Sequence, residues 1–353
     1  MPVLRINFYS QAAKAKIKKP KKEVPSASEA QRRSLLESPA SCSKRSVCLS
    51  SFADFCDPFV PKASPKQQQK FPRSLRTLFH ESNSLLCPEE FSELCASTRR
   101  DLIITQDEIT FVEQASRQQA NSLVWHEQRA GRVTASRAHQ VLHTSLTNPS
   151  VSLVKAICRE KGAELNVPAI KWGRDHEPDA LNFYKLSSQQ SHGNVEVNTS
   201  GLLIDDTFPF IGASPDSIIK CSCCQGKGVV EVKCPFSFRC VTLDVAKQNK
   251  LCPISSKNEL KETSPYFAQI QLQMYVSKAQ YGDFVYWLPS DCIVTRVKRD
   301  DDFILRLVDK ISLFWQAAVL PELLTRELEM TNKETAVTEK VYCNFKQETG
   351  EKK

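Results

Sequence analysis

The segment 212–235, GASPDSIIKCSCCQGKGVVEVKCP, constrains the fold more than any other part of this 353-residue chain. An extended run over 208–213 meets a turn at Pro215 and Asp216, Ile218 and Ile219 continue it, and Val229 to Lys233 read as a second strand. Lys220 and Gly226 to Gly228 mark the loop between them. Because side chains alternate along a strand, Glu231 and Lys233 point the same way.

Two carboxylates and a lysine in this order suit metal-dependent cleavage of a phosphodiester. That reaction needs charge neutralisation on the oxygens around phosphorus, an activated in-line water and help for the leaving group, which one or two Mg²⁺ ions supply. Mg²⁺ binds through one or two carboxylates, keeps several waters and takes other ligands from the substrate's phosphates. Lys233 beside Asp216 and Glu231 can orient or deprotonate the attacking water and offset negative charge. Glu-x-Lys is equally the pattern of a solvated strand face, with Asp216 a turn residue after Pro215, so the surrounding sequence has to decide.

Four blocks in order do so: Trp125-His126-Glu127-Gln128-Arg129 with Arg132-Val133-Thr134-Ala135-Ser136; Trp172-Gly173-Arg174-Asp175-His176-Glu177; Gly212 to Asp216 with Glu231 to Pro235; and Tyr266 to Tyr275. Spanning roughly residues 105–320, they resemble the phage lambda exonuclease and YqaJ viral recombinase family of the PD-(D/E)XK nuclease superfamily. The resemblance implies an α/β fold with a restriction-endonuclease-like core, a mixed central sheet flanked by helices. It also implies a 5′-to-3′ exonuclease acting on duplex DNA ends in recombination or repair. Ser217, where many relatives carry glycine, departs from the pattern without touching a charged position.

Each block also has a reading of its own. Thr134 to Ser136 precede a short helix pattern over 137–142, so a hydroxyl stands at the N-cap where an anion is favoured, and Arg129 can bind phosphate bidentately. A plain capped helix with a surface arginine fits the same residues, and Trp125 reads as core packing. The resemblance assigns Arg129, Ser136 and Ser214 to a pocket for a 5′-terminal phosphate. Pro178 fits the first turn of a helix over 179–186, placing Glu177 at its start. There a lone glutamate is a charge partner of the helix dipole, whereas the resemblance makes it a metal ligand through water. His176 reads as a packed or exposed neighbour.

Ser264-Pro265 opens a further helix that stops at Gly282 and carries Tyr266, Gln269 and Gln273 on one stripe. Gln273 reads as turned to solvent and Gln271 as structural, while the resemblance brings Gln269 to the attacking water with Tyr266 beside it. By the same resemblance, Asp216, Glu231 and the backbone carbonyl of Val232 surround the metal, Mg²⁺ with Mn²⁺ as a substitute, and Lys233 positions the water. Two strands, 283–288 and 293–297, and an amphipathic helix over 300–320 with Phe303, Leu307 and Ile311 complete the domain.

The domain reading is a flexible basic, Ser- and Pro-rich region with short helices over 1–100, a nuclease domain over 101–325 and a polar tail over 326–353. A formal charge of +8 favours an anionic partner. The basic run KAKIKKPKK at 14–22 suits either nuclear import or phosphate binding, and the acid-free start has some character of a mitochondrial transit peptide. No apolar run is long enough for a membrane helix, so a soluble intracellular protein is expected.

Fourteen scattered cysteines read as reduced thiols. Cys221, Cys223 and Cys224 stand apart as three close ligands for a structural Zn²⁺, with Cys234, Cys240 or Cys252 as fourth. Two other functions remain open alongside the exonuclease: an endonuclease or nickase of a mobile element or repair pathway, and a non-catalytic DNA-binding module on the same scaffold. Candidate partners are duplex ends bearing 5′ phosphate, a single-strand annealing protein and further copies of the chain, since phage relatives form rings.

Overall fold

Strand β6 (Lys227–Lys233) is covered on both faces, and the rest of the architecture follows from what covers it. The structure is a computed structural model that describes residues 71–159 and 167–329, together with Ser28 and Ala30. The two long stretches belong to one compact unit, and Ser28 and Ala30 lie in another. The basic run at 14–22 and the tail from 330 lie outside the described residues.

Five strands form the main sheet in the order β2-β5-β6-β7-β8, with β2 Glu196–Thr199, β5 Ser217–Lys220, β7 Tyr281–Leu288 and β8 Asp291–Lys298. Only the β6–β7 pair is parallel, Glu231 lying opposite Phe284 and Lys233 opposite Tyr286. A smaller sheet, β1-β4-β3, joins β1 (Val133–Thr134) in parallel and β3 (Leu203–Ile204) in antiparallel to β4 (Ile211–Ala213). The result is the mixed α/β architecture expected.

Ten α-helices among the described residues surround these sheets: α1 Pro88–Asp101, α2 Gln106–Ala115, α3 Leu123–Arg129, α4 Ala138–His143, α5 Val151–Cys158, α6 Pro168–Ser191, α7 Leu243–Lys247, α8 Pro265–Ser277, α9 Asp301–Phe314 and α10 Leu320–Thr325. On one face of the main sheet, Phe267, Ile270 and Met274 of α8 pack with Val229, Phe284 and Tyr286. On the other, Ala180 and Tyr184 of α6 pack with Ile219, Val230, Val232 and Val285. Helix α8 also turns Ala268, Leu272 and Val276 into a second core with α4, α9 and the small sheet. A helix with apolar residues on opposite sides is buried on both.

Three boundaries differ from the sequence reading. Helix α6 runs through Pro178, which therefore sits inside it and not in its first turn. A mid-helix proline costs about 3 kcal/mol, and the contacts of Trp172, Ala180 and Tyr184 on both sides of it offset that cost. Helix α8 stops at Ser277 with Lys278 left-handed at its end, and Gly282 belongs to β7. A Cβ on Gly282 would lie 2.4 Å from Ile270 Cγ2, so the glycine admits the helix against the strand. The boundary read at 101 lies earlier, because Leu75, Phe91 and Cys95 are buried in the same core as α9.

Among the described residues, no helix is long and apolar enough to cross a membrane. Glu322 of α10 is buried, and its Oε2 accepts the Leu328 N–H at 2.9 Å. Burial pushes its carboxyl from 4.5 up to about 7, against the pull of that hydrogen bond. Across that interval the folded state binds more protons than the unfolded one, so this group's contribution to stability falls as pH rises. Glu322→Gln is expected to be more stable than the parent by roughly 2–3 kcal/mol at about pH 8. Urea titrations should show that gain disappearing toward the ordinary carboxylate pKa; a gain constant across the range would contradict the assignment.

Candidate active site

Asp216 and Lys233 meet because β5 and β6 are antiparallel: Asp216 immediately precedes β5, and Lys233 ends β6 at the same edge of the sheet. The Asp216 N–H donates to the Val230 carbonyl at 3.0 Å, and Asp216 Oδ2 accepts the Val232 N–H at 2.6 Å. The carboxylate thus takes the place of a further β5 residue along this edge of β6. In an extended strand the N–H and C=O of one residue leave toward the same edge, so the Val232 carbonyl is directed to the Asp216 side.

Glu231 is 2% exposed, and three side chains donate to it. Gln269 Nε2 reaches Oε1 at 2.6 Å, Gln273 Nε2 reaches Oε2 at 2.6 Å, and the Lys233 ammonium bonds Oε1. A buried carboxylate requires such partners. Gln269 therefore lies against Glu231, and Gln273, read as turned to solvent, is instead fully buried. Gln271 is structural, donating to the Lys298 carbonyl and accepting the Asp300 N–H. Tyr266 lies with its ring centroid 5.4 Å from Lys233 Nζ and stacks on Phe284.

The electrostatics are those of crowded acids around one cation. Burial, and then the charge of Glu231, raise the Asp216 carboxyl well above its ordinary range, with Lys233 pulling it down and Glu177 adding to the rise. Glu177, half-buried on α6, is raised by burial and by Glu231, against Lys233. Burial opposes the charge of Lys233, but Glu231 and Asp216 outweigh it and raise the ammonium's pKa. Glu177, Asp216, Glu231 and Lys233 therefore form one interacting group. Their donor set fits a hard divalent cation: two carboxylates, a carbonyl directed to the same side and a third carboxylate nearby. Asp216 Oδ1 takes no hydrogen bond among the described residues. A cation there would reverse the crowding that raises the acids.

A second cluster lies two residues upstream of Asp216. Trp125 Nε1 donates to Ser214 Oγ at 2.9 Å, and the Arg129 guanidinium stacks on the Trp125 ring at 3.7 Å. An Arg129 nitrogen is 3.4 Å from Thr134 Oγ1 and 3.5 Å from Ser136 Oγ. Burial, then Arg137, lower the arginine to about 10, which leaves it charged at neutral pH. No hydroxyl stands at the N-cap of α4, contrary to the sequence reading: Arg137 takes that position without a side-chain cap, and Thr134 makes none either. Its hydroxyl pairs with Ser136 Oγ at 3.2 Å, and a 3₁₀ turn, Ala135–Arg137, precedes α4. Trp125 is half-buried and links two of the expected residues, so it is not simply core packing. Its position one turn before Arg129 on α3 was the available signal. His176 is packed, between Trp172 and Trp287 at centroid distances of 4.0 and 5.1 Å.

The model of the YqaJ-like viral recombinase domain matches residues 124–280, a span that holds both clusters. That stretch is similar to the YqaJ-like viral recombinase domain. The chain is similar to the alkaline nuclease of Orgyia pseudotsugata multicapsid polyhedrosis virus, 25% identical over 231 residues, covering 57% of this chain and 48% of the relative. The alkaline nuclease of Autographa californica nuclear polyhedrosis virus is 24% identical over 222 residues, covering 56% and 48%. The chain thus spans about half the length of these curated relatives. Among solved structures, the alkaline exonuclease LHK-Exo from Laribacter hongkongensis is 26% identical, with a TM-score of 0.43, covering 61% of this chain and 98% of its own.

Gln273→Leu is expected to leave one oxygen of the buried Glu231 carboxylate without its donor, at a cost of about 1–3 kcal/mol. Equilibrium urea unfolding measures it. A variant as stable as the parent would show that Gln273 does not hold Glu231.

Proposed function

We propose that this chain is a metal-dependent DNA nuclease, and specifically a 5′-to-3′ exonuclease that acts on duplex ends. The convergence of Asp216, Glu231 and Lys233, with Glu177 close enough to act on their charges, carries the proposal. A bound Mg²⁺, or Mn²⁺ in its place, would neutralise charge on the scissile phosphate and lower the pKa of the attacking water. Asp216, Glu231 and the Val232 carbonyl would hold it, with Glu177 completing the set through water. Lys233, kept as an ammonium by its neighbours, orients the water and faces the phosphate. Gln269 and Gln273 fix the rotamer of Glu231, so the ligands keep one geometry.

Preference for an end rests on Arg129. Its face is covered by Trp125, and its contacts to Thr134 and Ser136 are at the limit of hydrogen-bond length, leaving N–H groups for a phosphate. With Ser136 and Ser214 it forms a pocket suited to a 5′-terminal phosphate. We further propose that the basic run at 14–22, outside the described residues, serves phosphate binding or delivery to DNA in the nucleus.

The test is digestion of linear duplex with and without 5′ phosphate, a closed circle, and the equivalent RNA duplex, in Mg²⁺ and in Mn²⁺. The phosphorylated linear DNA is expected to be degraded fastest and the circle to survive. Cleavage of the circle at a similar rate would instead identify an endonuclease, and no cleavage in either metal a binding module. Asp216→Ala or Lys233→Ala should lower cleavage at least roughly 100-fold while DNA binding persists. Arg129→Ala should reduce selection for phosphorylated ends by about 10–100-fold, the worth of a charge-assisted hydrogen bond.

A further inference from the structure

His192, Cys221, Cys223 and Cys224 place one ligand atom each within 4.8 Å of one another. His192 caps the C-terminus of α6, and the cysteines occupy the loop between β5 and β6. His192 Nδ1 lies 3.2, 3.5 and 3.8 Å from the sulfurs of Cys223, Cys224 and Cys221, and the Cys221 and Cys223 sulfurs are 3.6 Å apart. Zinc–sulfur bonds of about 2.3 Å and zinc–nitrogen bonds of about 2.0 Å give tetrahedral edges of about 3.8 Å between sulfurs and about 3.5 Å between sulfur and nitrogen. The observed separations fall around those edges. None of Cys234, Cys240 and Cys252 joins the group; histidine supplies the fourth ligand.

We propose that these four residues bind a structural Zn²⁺ as a closed Cys₃His site. Three thiolates and a neutral imidazole give the bound ion a net charge of −1, and a guanidinium stands against one of the sulfurs. Arg296 Nη1 is 3.3 Å from Cys224 Sγ, and the same guanidinium grips Asp283 through two hydrogen bonds of 2.8 and 2.9 Å. Asp283 in turn accepts the Tyr184 hydroxyl of α6 at 2.6 Å. Such outer partners orient metal ligands and tune their basicity. The loop is also bonded to the helix end directly, with Ser222 N–H and Oγ both donating to the Gly193 carbonyl at 2.9 Å.

The position of the site gives the ion a task. The hairpin β5–β6 holds Asp216 and Lys233 at its open end and the cysteines at its turn; α6 holds Glu177 near its middle and His192 at its end. A zinc at the closed end fixes the helix to the hairpin and so holds Glu177 in line with Asp216 and Glu231. The metal site itself rests on no part of the nuclease reading.

Elemental analysis of the full chain, expressed with zinc and purified under reducing conditions without chelator, tests it. About one zinc per chain is expected, falling below about 0.2 in folded Cys223→Ser and His192→Ala. Cobalt substitution of the parent chain should give the visible bands of tetrahedral Co²⁺ with thiolate-to-cobalt charge transfer, and zinc removal should lower the unfolding temperature. Less than about 0.2 zinc in the parent, cobalt spectra without charge transfer, or a Cys221–Cys223 disulfide in the reduced preparation would overturn the site. Unchanged zinc in both folded variants would overturn its ligands. All these readouts are independent of DNA cleavage.

Discussion

A buried carboxylate is tolerable only when donors surround it, and in this molecule that carboxylate is Glu231. Its charge is enclosed between the main sheet and α8, and Lys233, Gln269 and Gln273 supply the hydrogen bonds that water would otherwise provide. Two of those donors come from α8 and one from the strand itself. The interaction therefore fixes the register of a helix on a strand as well as the rotamer of one side chain. The glycine at 282 lets the helix come close enough for both glutamines to reach.

The two clusters stand on different sheets. Strand β4 ends the small sheet at Ala213 and β5 begins in the large one at Ser217, leaving Ser214, Pro215 and Asp216 as the link. Ser214 accepts from Trp125, while Asp216 accepts from the Val232 N–H. Proline between them restricts the backbone, and Gln119 donates to the Pro215 carbonyl at 3.0 Å. The separation between the Trp125–Ser214 contact and the acidic group is thus set by three residues.

Much of this was readable in the sequence because it depends on period and local order. Alternation along β6 put Glu231 and Lys233 on one face, and the strand pair that follows α8 matched its pattern closely. What escaped notice depends on tertiary surroundings. Gln273 looked solvent-facing because a stripe gives no sign that a second core covers the far side of the helix. Pro178 looked like a helix start because the packing that sustains it mid-helix comes from distant strands. His192 is a lone histidine 29 positions before Cys221, and only the packing of α6 beside the hairpin brings them together.

Helix α8 has buried residues on both sides, one set in each of the two large cores. It cannot be half docked: loosening either core withdraws Gln269 and Gln273 from Glu231. A partly unfolded chain therefore lacks the assembled acidic cluster, and the geometry around Glu231 arises only together with complete, cooperative folding.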